Sequence, residues 1–413
     1  MHQHKIMRII PVLIIVAIFF LVDIYIYRSL GKTQTKRWVK LLFPISSLVH
    51  LTVYTLYFLM FAKGQLYAPY LMNLLVGITF LLFVGKLFTV LVLLAEQLFN
   101  FSPYLYRKVE TFHLKPMPSR RKFVRNVSLG AAALPFASGI FGLIIGKYLY
   151  KVNEVKLKSK KLPKAFSGLR VVQISDFHAG SFDWFEQVKE GMQMINDLKP
   201  DLILFTGDLV NNRTNEVLPF QELWSNLSAR FGKFAVLGNH DYGDYVPWDS
   251  EKEREENLNQ MKRFYEETGF NLLMNEHQVI DIDGEKLALV GVENWGTGRF
   301  PKYGDLPKAL KGLDEECFKI LLSHDPDHWK FEVKSFATLI DLTLSGHTHG
   351  AQFGVPIPFK GKWSPASWRY DYWRGLYQEK DRNLYVNTGF GFLGYPGRIN
   401  MAPEITLFVL DQA

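Results

Sequence analysis

The sequence predicts a multi-pass α-helical membrane region over residues 1–150, followed by an α/β domain over residues 165–413. Two observations predict this fold class: long apolar stretches are confined to the first 150 residues, and short β-branched runs alternate with helical stretches after them. The length of 413 residues allows two or three domains. A hydrophobic fraction of 48% excludes a disordered chain.

Charge divides at the same place as hydropathy. Residues 1–150 hold 17 Lys and Arg but only three acidic side chains, so this region carries +14 and the remainder −6 of the formal +8. An acidic second region argues against nucleic acid as a partner, because clustered Lys and Arg on phosphates supply most of that affinity. Cys317 is the only cysteine, which excludes an intrachain disulfide and a cysteine zinc cluster.

Four stretches of the first region reach the length of about 20 apolar residues that a helix needs to cross a bilayer. They cover about residues 9–27, 41–62, 66–95 and 126–146, and the charged side chains inside them are Asp23 and Lys86. We expect these two side chains to extend toward a membrane interface, because no polar relay accompanies them in the sequence. Residues 151–164 (KVNEVKLKSKKLPK) are interpreted as a linker.

Basic residues flank the four stretches unevenly. Five lie between the first and second stretch and seven just before the fourth, whereas the other flanks hold one or two. The positive-inside rule then places everything after residue 146 outside the cytoplasm. Residues 119–124 (SRRKFV) resemble a twin-arginine export signal, and a basic anchor before a helix is the alternative; both give the same topology. We therefore expect a multi-pass cell-membrane protein with an extracytoplasmic second domain.

Short apolar runs rich in β-branched residues recur through the second region and predict strands. The predicted strands cover residues 169–174, 201–205, 234–237, 286–292, 318–322, 341–344 and 384–386. The predicted helices cover residues 182–198, 214–229 and 250–268. Strands that alternate with helices indicate βαβ units and an α/β core.

Asp, His and Asn residues directly follow five of these strands. In an α/β sheet the carboxyl ends of the strands form the crevice that binds ligands. In Asp176-x-His178 and His347-x-His349, residues two apart on an extended segment point the same way and can approach one metal. Mixed carboxylate, imidazole and amide ligands favour Mn, Fe or Zn over Ca or Mg. The candidate ligands are Asp176, His178, Asp208, Asn239, His324, His347 and His349, and His240 and Asp241 lie beside them.

Together these motifs resemble the calcineurin-like dinuclear metallophosphoesterases over about residues 165–413. The motifs are Asp176-x-His178, Gly207-Asp208, Gly238-Asn239-His240-Asp241, His324 and Gly346-His347-Thr348-His349. Residues 387–389 (NTG) and 394–404 (GYPGRINMAPE) are similar to the bacterial branch tethered by a transmembrane or twin-arginine segment. Ala351 departs from the pattern, because Gly is usual there. The resemblance implies an α/β metallophosphoesterase domain, a sheet sandwich flanked by helices.

The resemblance also implies two divalent metal ions that share one carboxylate, Asp208. The implied ligands are Asp176, His178, Asp208 and His349 for one ion, and Asp208, Asn239, His324 and His347 for the other. Such a pair activates a water for direct attack on phosphorus, so no covalent enzyme intermediate is needed. His240 is expected to stabilise or protonate the leaving oxygen, with Asp241 orienting its ring.

Substrate contacts are less narrowly defined by the sequence. Arg398 is a candidate for binding substrate phosphate, with a structural salt bridge as the alternative. Aromatic residues after the last histidine motif favour either a membrane interface or core packing. These aromatic residues are Trp363, Trp368, Tyr370, Tyr372 and Trp373.

The similarity to the bacterial branch favours phosphodiester or pyrophosphate substrates, including lipid-linked ones of the UDP-diacylglucosamine type. One alternative is a phosphomonoesterase of small exported substrates. The other is a non-catalytic membrane sensor or binding protein.

Overall fold

The computed structural model describes residues 17–29, 37–62, 70–107, 118–298, 300, 302–359 and 361–413. They form two compact units, Met1–Ile144 and Ile145–Ala413.

The described part of the first unit is helical. Helix α1 covers residues 17–29, α2 Arg37–Ala62, α3 Tyr70–Arg107 and α4 Pro118–Ile144. Within the described residues, one helical stretch, Met72–Ala95, has the length and apolar composition to cross a membrane, and Ala133–Ile144 is a shorter apolar helix. The stretch expected over residues 9–27 lies partly outside the described residues. Multiple crossings therefore stay a prediction.

Asp23 and Lys86 are buried and paired with each other. Lys86 Nζ lies 2.8 Å from Asp23 Oδ1, and the two side chains are 3% and 5% exposed. The same Nζ donates to Ser47 Oγ at 2.7 Å, so the pair connects α1 to α3 and the serine adds α2. The expectation that these side chains extend separately to an interface is wrong, because each charge neutralises the other between helices.

The second unit contains fourteen strands in the residues that the structure describes. They are β1 Lys151–Ser159, β2 Leu169–Ile174, β3 Leu202–Phe205, β4 Lys233–Ala235, β5 Phe270–Leu272, β6 Glu276–Ile282, β7 Glu285–Gly291, β8 Phe318–Leu322, β9 Leu342–Ser345, β10 Val355–Ile357, β11 Gly361–Trp363, β12 Gly375–Glu379, β13 Arg382–Val386 and β14 Glu404–Gln412. Its helices are α5 Phe185–Asp197, α6 Gln221–Ser225, α7 Glu251–Glu267, α8 Leu306–Leu310 and α9 Asp327–Phe331.

Two six-stranded sheets form the centre of this unit. Their strand orders are β1-β14-β2-β3-β4-β5 and β12-β13-β9-β8-β7-β6, while β10 and β11 form a separate two-stranded hairpin. Strands β2 to β5 are mutually parallel, and so are β7, β8, β9 and β13. The carboxyl ends of each parallel set therefore lie at one edge of its sheet.

The strands are almost continuously apolar because both of their faces are buried. In β2, Val171 faces a core shared with residues of the other sheet, such as Ile320, while Val172 faces a second core with helical residues such as Phe264. In β8, Leu321 faces a third core that includes Trp329. The result is a sandwich of two sheets flanked by helices.

Two sequence expectations need correction. Residues 151–159, expected in a linker, form edge strand β1, parallel to β14. Its exposed polar residues at alternate positions obscured the strand pattern, and such residues are typical of a strand at a sheet edge. The helix expected over residues 214–229 is broken into two 3-10 turns and α6, with Pro219 at the start of the second turn.

Candidate metal and active site

The candidate site lies where loops leave the carboxyl ends of parallel strands in both sheets. Five residues of the site have left-handed backbone conformations, with φ between 49° and 70°. A residue with a Cβ takes this conformation at a cost in free energy, which is typical of functional sites held by their surroundings. These residues are Asp176, His178, Asp208, His347 and His349.

Close backbone approach requires glycine at two places in these loops. A Cβ on Gly346 would overlap Ser175 Oγ and Asp176 Oδ2, and a Cβ on Gly238 would overlap Asp208 Oδ1. Each glycine therefore allows a carboxylate to lie directly against a neighbouring loop.

A first cluster consists of Asp176, His178 and His349, all buried. His178 Nε2 lies 3.0 Å from His349 Nε2. The same His349 nitrogen lies 3.2 Å from Asp176 Oδ1. Two imidazole nitrogens and a carboxylate oxygen thus face one point.

A second cluster consists of Asp208, His324 and His347. His324 Nε2 lies 3.1 Å from Asp208 Oδ2, and His347 Nδ1 lies 3.2 Å from His324 Nε2. Asn239 donates from Nδ2 to the hydroxyl of Tyr245 at 3.0 Å. Its Oδ1 is buried without a hydrogen-bond partner among the described residues, which leaves this oxygen available as a ligand.

Asp208 Oδ2 faces both clusters. It lies 3.1 Å from His324 Nε2 and 3.6 Å from His178 Nε2. Its other oxygen, Oδ1, accepts the backbone N–H of His240 at 2.9 Å, which fixes the carboxylate plane.

Burial shifts the protonation of the clustered groups. It lowers the pKa of His178 to about 3 and raises the pKa of Asp176 to about 6. Burial also lowers the pKa of His347 and His349 well below the usual histidine value. Neutral imidazoles beside carboxylates are the donors that Mn, Fe and Zn bind, so these residues fit divalent metals.

His324 differs from the other histidines of the site. Burial opposes its charge, but the Asp208 carboxylate raises the pKa of His324 to about 10. His324 and Asp208 therefore form a buried ion pair, in which a divalent cation can replace the proton on the imidazole.

The ring of His240 is held by Asn211. His240 Nδ1 lies 2.6 Å from the Asn211 carbonyl oxygen, so this nitrogen carries a proton and donates. The Asp241 carboxylate instead accepts backbone N–H groups of Gly238, Asp208, Leu209 and Val210 at 2.7 to 3.3 Å. The expectation that Asp241 orients the His240 ring is wrong. Asp241 joins the two loops that carry Asp208 and Asn239.

The guanidinium of Arg398 is enclosed by main-chain carbonyl groups. The residue is 1% exposed. Its guanidinium donates to the carbonyl oxygens of Thr388, Gly389, Gly391 and Met401 at 2.5 to 3.3 Å. Arg398 therefore fixes the loop after β13 through carbonyl oxygens, and its contact with substrate phosphate stays a prediction.

Three residues beside the clusters did not appear among the sequence candidates for direct roles. Tyr370 OH lies 2.9 Å from His347 Nε2, and the Tyr245 ring packs 4.7 Å from His240. Arg369 is exposed, with its guanidinium 4.7 Å from the Tyr370 ring. Tyr370 belonged to the aromatic run, but an aromatic run alone does not reveal which hydroxyl reaches a histidine.

The aromatic residues after the last histidine motif differ in how deeply they are buried. Tyr372 packs in the core against Trp329 and Tyr377. Trp368 is 79% exposed and contacts the ring of Trp363 at 5.2 Å. Core packing is thus confirmed for Tyr372, and a membrane interface stays a prediction for the exposed Trp368.

Two family models match the chain. Residues 7–147 match a family described as "Probable Calcineurin-like phosphoesterase, transmembrane domain". Residues 169–351 match the family "Calcineurin-like phosphoesterase". The transmembrane match indicates a membrane location.

Among curated proteins, the chain is similar to an uncharacterized metallophosphoesterase of Bacillus subtilis, YkuE, with 32% identity covering 71% of this chain and 98% of the relative. It is also similar to a Danio rerio "transmembrane protein with metallophosphoesterase domain" at 31% identity, covering 66% of this chain and 60% of that protein. A third relative, B. subtilis YkoQ, is 27% identical, covering 62% of this chain and 88% of the relative. The chain belongs to the calcineurin-like metallophosphoesterases and is a phosphoester hydrolase with a transmembrane domain.

Proposed function

We propose that this protein is a membrane-anchored, metal-dependent phosphohydrolase that cleaves phosphodiester or pyrophosphate bonds at a dinuclear site. The observation that supports this most directly is the position of Asp208 Oδ2 between the two His and Asp clusters. A carboxylate between two such clusters is suited to bridging two ions of like charge.

The proposed ligands follow from the two clusters. Divalent ions bound there would supply Lewis acidity, which polarises the phosphoryl oxygens and lowers the pKa of water. The ligands are Asp176, His178, Asp208 and His349 for one ion, and Asp208, Asn239, His324 and His347 for the other. We propose Mn, Fe or Zn as the ions, on the chemistry of these donors.

His240 is the proposed proton donor to the leaving oxygen. Its Nδ1–H is committed to the Asn211 carbonyl, which leaves Nε2 as the nitrogen that gains and gives a proton. The ring is only partly buried, so a substrate can reach it. Arg369 is a further candidate cation for a non-bridging phosphate oxygen, because its side chain is half-exposed beside Tyr370 and its ion pair with Asp327 at 3.3 Å leaves other N–H groups to donate.

We further propose a lipid-linked substrate outside the cytoplasm. The support is the basic flanks of the first region, which favour an outward second domain, and the match to a transmembrane phosphoesterase domain. Phosphodiester and pyrophosphate lipids, including the UDP-diacylglucosamine type, are the substrate class. A monoesterase of small exported substrates and a non-hydrolysing sensor are the alternatives that the experiment separates.

The test measures hydrolysis by the full chain in detergent micelles with added Mn. The substrates are p-nitrophenyl phosphate, bis-p-nitrophenyl phosphate and a diacyl pyrophosphate lipid, and bound metal is measured by mass spectrometry. Asp208→Asn should lower turnover at least about 100-fold, because losing the shared carboxylate removes several kcal/mol of transition-state stabilisation. Asp249→Asn is the matched control, since Asp249 is an exposed aspartate outside the clusters.

The outcomes distinguish the proposed hydrolase from the monoesterase and from the non-hydrolysing sensor. Preference for the diester or the pyrophosphate lipid supports the proposal, and preference for the monoester favours the small-substrate alternative. Two bound metals without turnover of any substrate would favour a sensor. Equal turnover of Asp208→Asn and Asp249→Asn would contradict the dinuclear site.

A further inference from the structure

The hairpin formed by β10 and β11 exposes a run of apolar side chains. Val355, Ile357 and Phe359 are 39%, 38% and 107% exposed, and Trp368 beside them is 79% exposed. Pro356 and Pro358 between them are also exposed, so residues 355–359 present five consecutive apolar side chains to solvent. Such a run on a folded domain marks an interaction site. The exposed side chains of Val355, Ile357, Phe359 and Trp368 are called the docking face below.

The hairpin is attached to the edge of the unit at which β1 begins. Phe353 pairs with Ile399, and Gly354 N–H donates to the Ile399 carbonyl at 2.9 Å. A few residues along, Lys151 N–H donates to the Pro403 carbonyl at 2.9 Å, and Lys151 is the first residue of β1. The docking face and the start of β1 therefore share the segment 399–403 as their support.

The segment that supports the docking face lies close along the chain to the region that matches the transmembrane domain. The match to the transmembrane domain ends at residue 147, and Lys151 follows four residues later. Four residues of chain span at most about 14 Å. The docking face is thus tethered by a short segment to the region that matches the transmembrane domain.

The charge and chemistry of the hairpin suit a lipid surface. Lys362, exposed in β11, pairs with Pro356 of β10, and the exposed Arg369 directly follows Trp368. Basic residues beside exposed Trp and Phe are typical of segments that insert between lipid head groups, with the cations on anionic phosphates. The prolines block pairing with a further strand, which disfavours a second copy as the occupant.

The docking face is also linked to the candidate metal clusters. Ser364, directly after β11, donates to the Gly350 carbonyl at 2.6 Å, next to His349. Thr348 donates to the Trp373 carbonyl at 2.7 Å. These hydrogen bonds tie the hairpin and the segment after it to the loop that carries His347 and His349.

We propose that the docking face inserts into the bilayer in which the protein is anchored and presents the candidate active site to lipid head groups. The occupant is the membrane itself. The inference does not depend on the proposed hydrolysis, because insertion is measured without substrate.

The test uses the full chain in nanodiscs of phosphatidylcholine and phosphatidylglycerol. Phe359→Cys carries a nitroxide spin label, and the native Cys317 is buried and gives little background labelling. The rate of collision with the label is measured for oxygen, which partitions into lipid, and for a water-soluble nickel chelate. If the docking face is inserted, oxygen should collide with the label at residue 359 more often than the nickel chelate does. A label at Glu255→Cys, on the exposed face of α7, should show the reverse order.

Two results would overturn the proposal. Equal nickel access at residues 359 and 255 would show that the docking face stays in water. Low access to both oxygen and nickel at residue 359 would show that a protein surface, such as a second copy, covers it. Trp368→Cys provides a second label in case the residue 359 variant folds poorly. Proteins with either label should hydrolyse a water-soluble phosphoester as the unlabelled protein does, which separates failure of docking from failure of the enzyme.

Discussion

The tautomer of His347 depends on a single hydroxyl. A metal ion on His347 Nδ1 would leave the ring proton on Nε2, which lies 2.9 Å from Tyr370 OH and would donate to it. Tyr370→Phe leaves this N–H without an acceptor, and we expect the affinity of the second cluster for Mn to fall about 10- to 100-fold. Metal titration by calorimetry on the full chain measures this directly. Tyr303→Phe is the control, because that hydroxyl donates to Asp244 outside the clusters; equal affinities in both variants would exclude a positioning role for Tyr370.

The sequence could predict which residue types gather at the site but not every contact between them. Asp176, Asp208 and His324 were predictable because each follows a parallel strand whose carboxyl end points to one edge of a sheet. The role of Asp241 was misassigned and the carbonyl partners of Arg398 were not foreseen, because neighbourhood in sequence does not define where a side chain points. Asp241 turns to backbone N–H groups and Arg398 to backbone carbonyls, and such main-chain partners leave no trace in a residue pattern.

At the level of elements, strands buried on both faces were predicted closely and edge elements were not. The prediction of residues 318–322 matches β8 in full, because an apolar run flanked by turns has few other interpretations. The edge strand β1 lacks a continuous apolar run, and β10 of the hairpin contains a proline, so periodicity identified neither. Pairing across long sequence separations, as between Asp23 and Lys86, was likewise invisible to local patterns.

The ion pair between α1 and α3 makes a testable contribution to the stability of the helical unit. Lys86→Met leaves Asp23 as an uncompensated buried charge, and removing one partner of such a pair costs about 3 to 5 kcal/mol. Replacing both residues, with Asp23→Leu and Lys86→Met, should recover most of the loss, because no charge stays buried. Helical circular dichroism of the full chain during thermal unfolding in detergent measures both effects. Unfolding of the single variant at the wild-type temperature would show that the pair is dispensable.

At the scale of the whole molecule, the candidate metals should stabilise the second unit against unfolding. Strained loops from both sheets converge on the two clusters, so ions that bind the folded state hold those sheets together. At a metal concentration 100 times the dissociation constant, this linkage is worth about 2.7 kcal/mol, or roughly 5 to 10 °C in Tm for a unit of this size. Tryptophan fluorescence reports the transition selectively, because every tryptophan except Trp38 lies in the second unit. Chelation should lower this Tm and Mn should restore it, whereas Asp208→Asn should respond much less. An identical Tm with and without chelator in the wild-type protein would mean that the clusters are held by the protein alone.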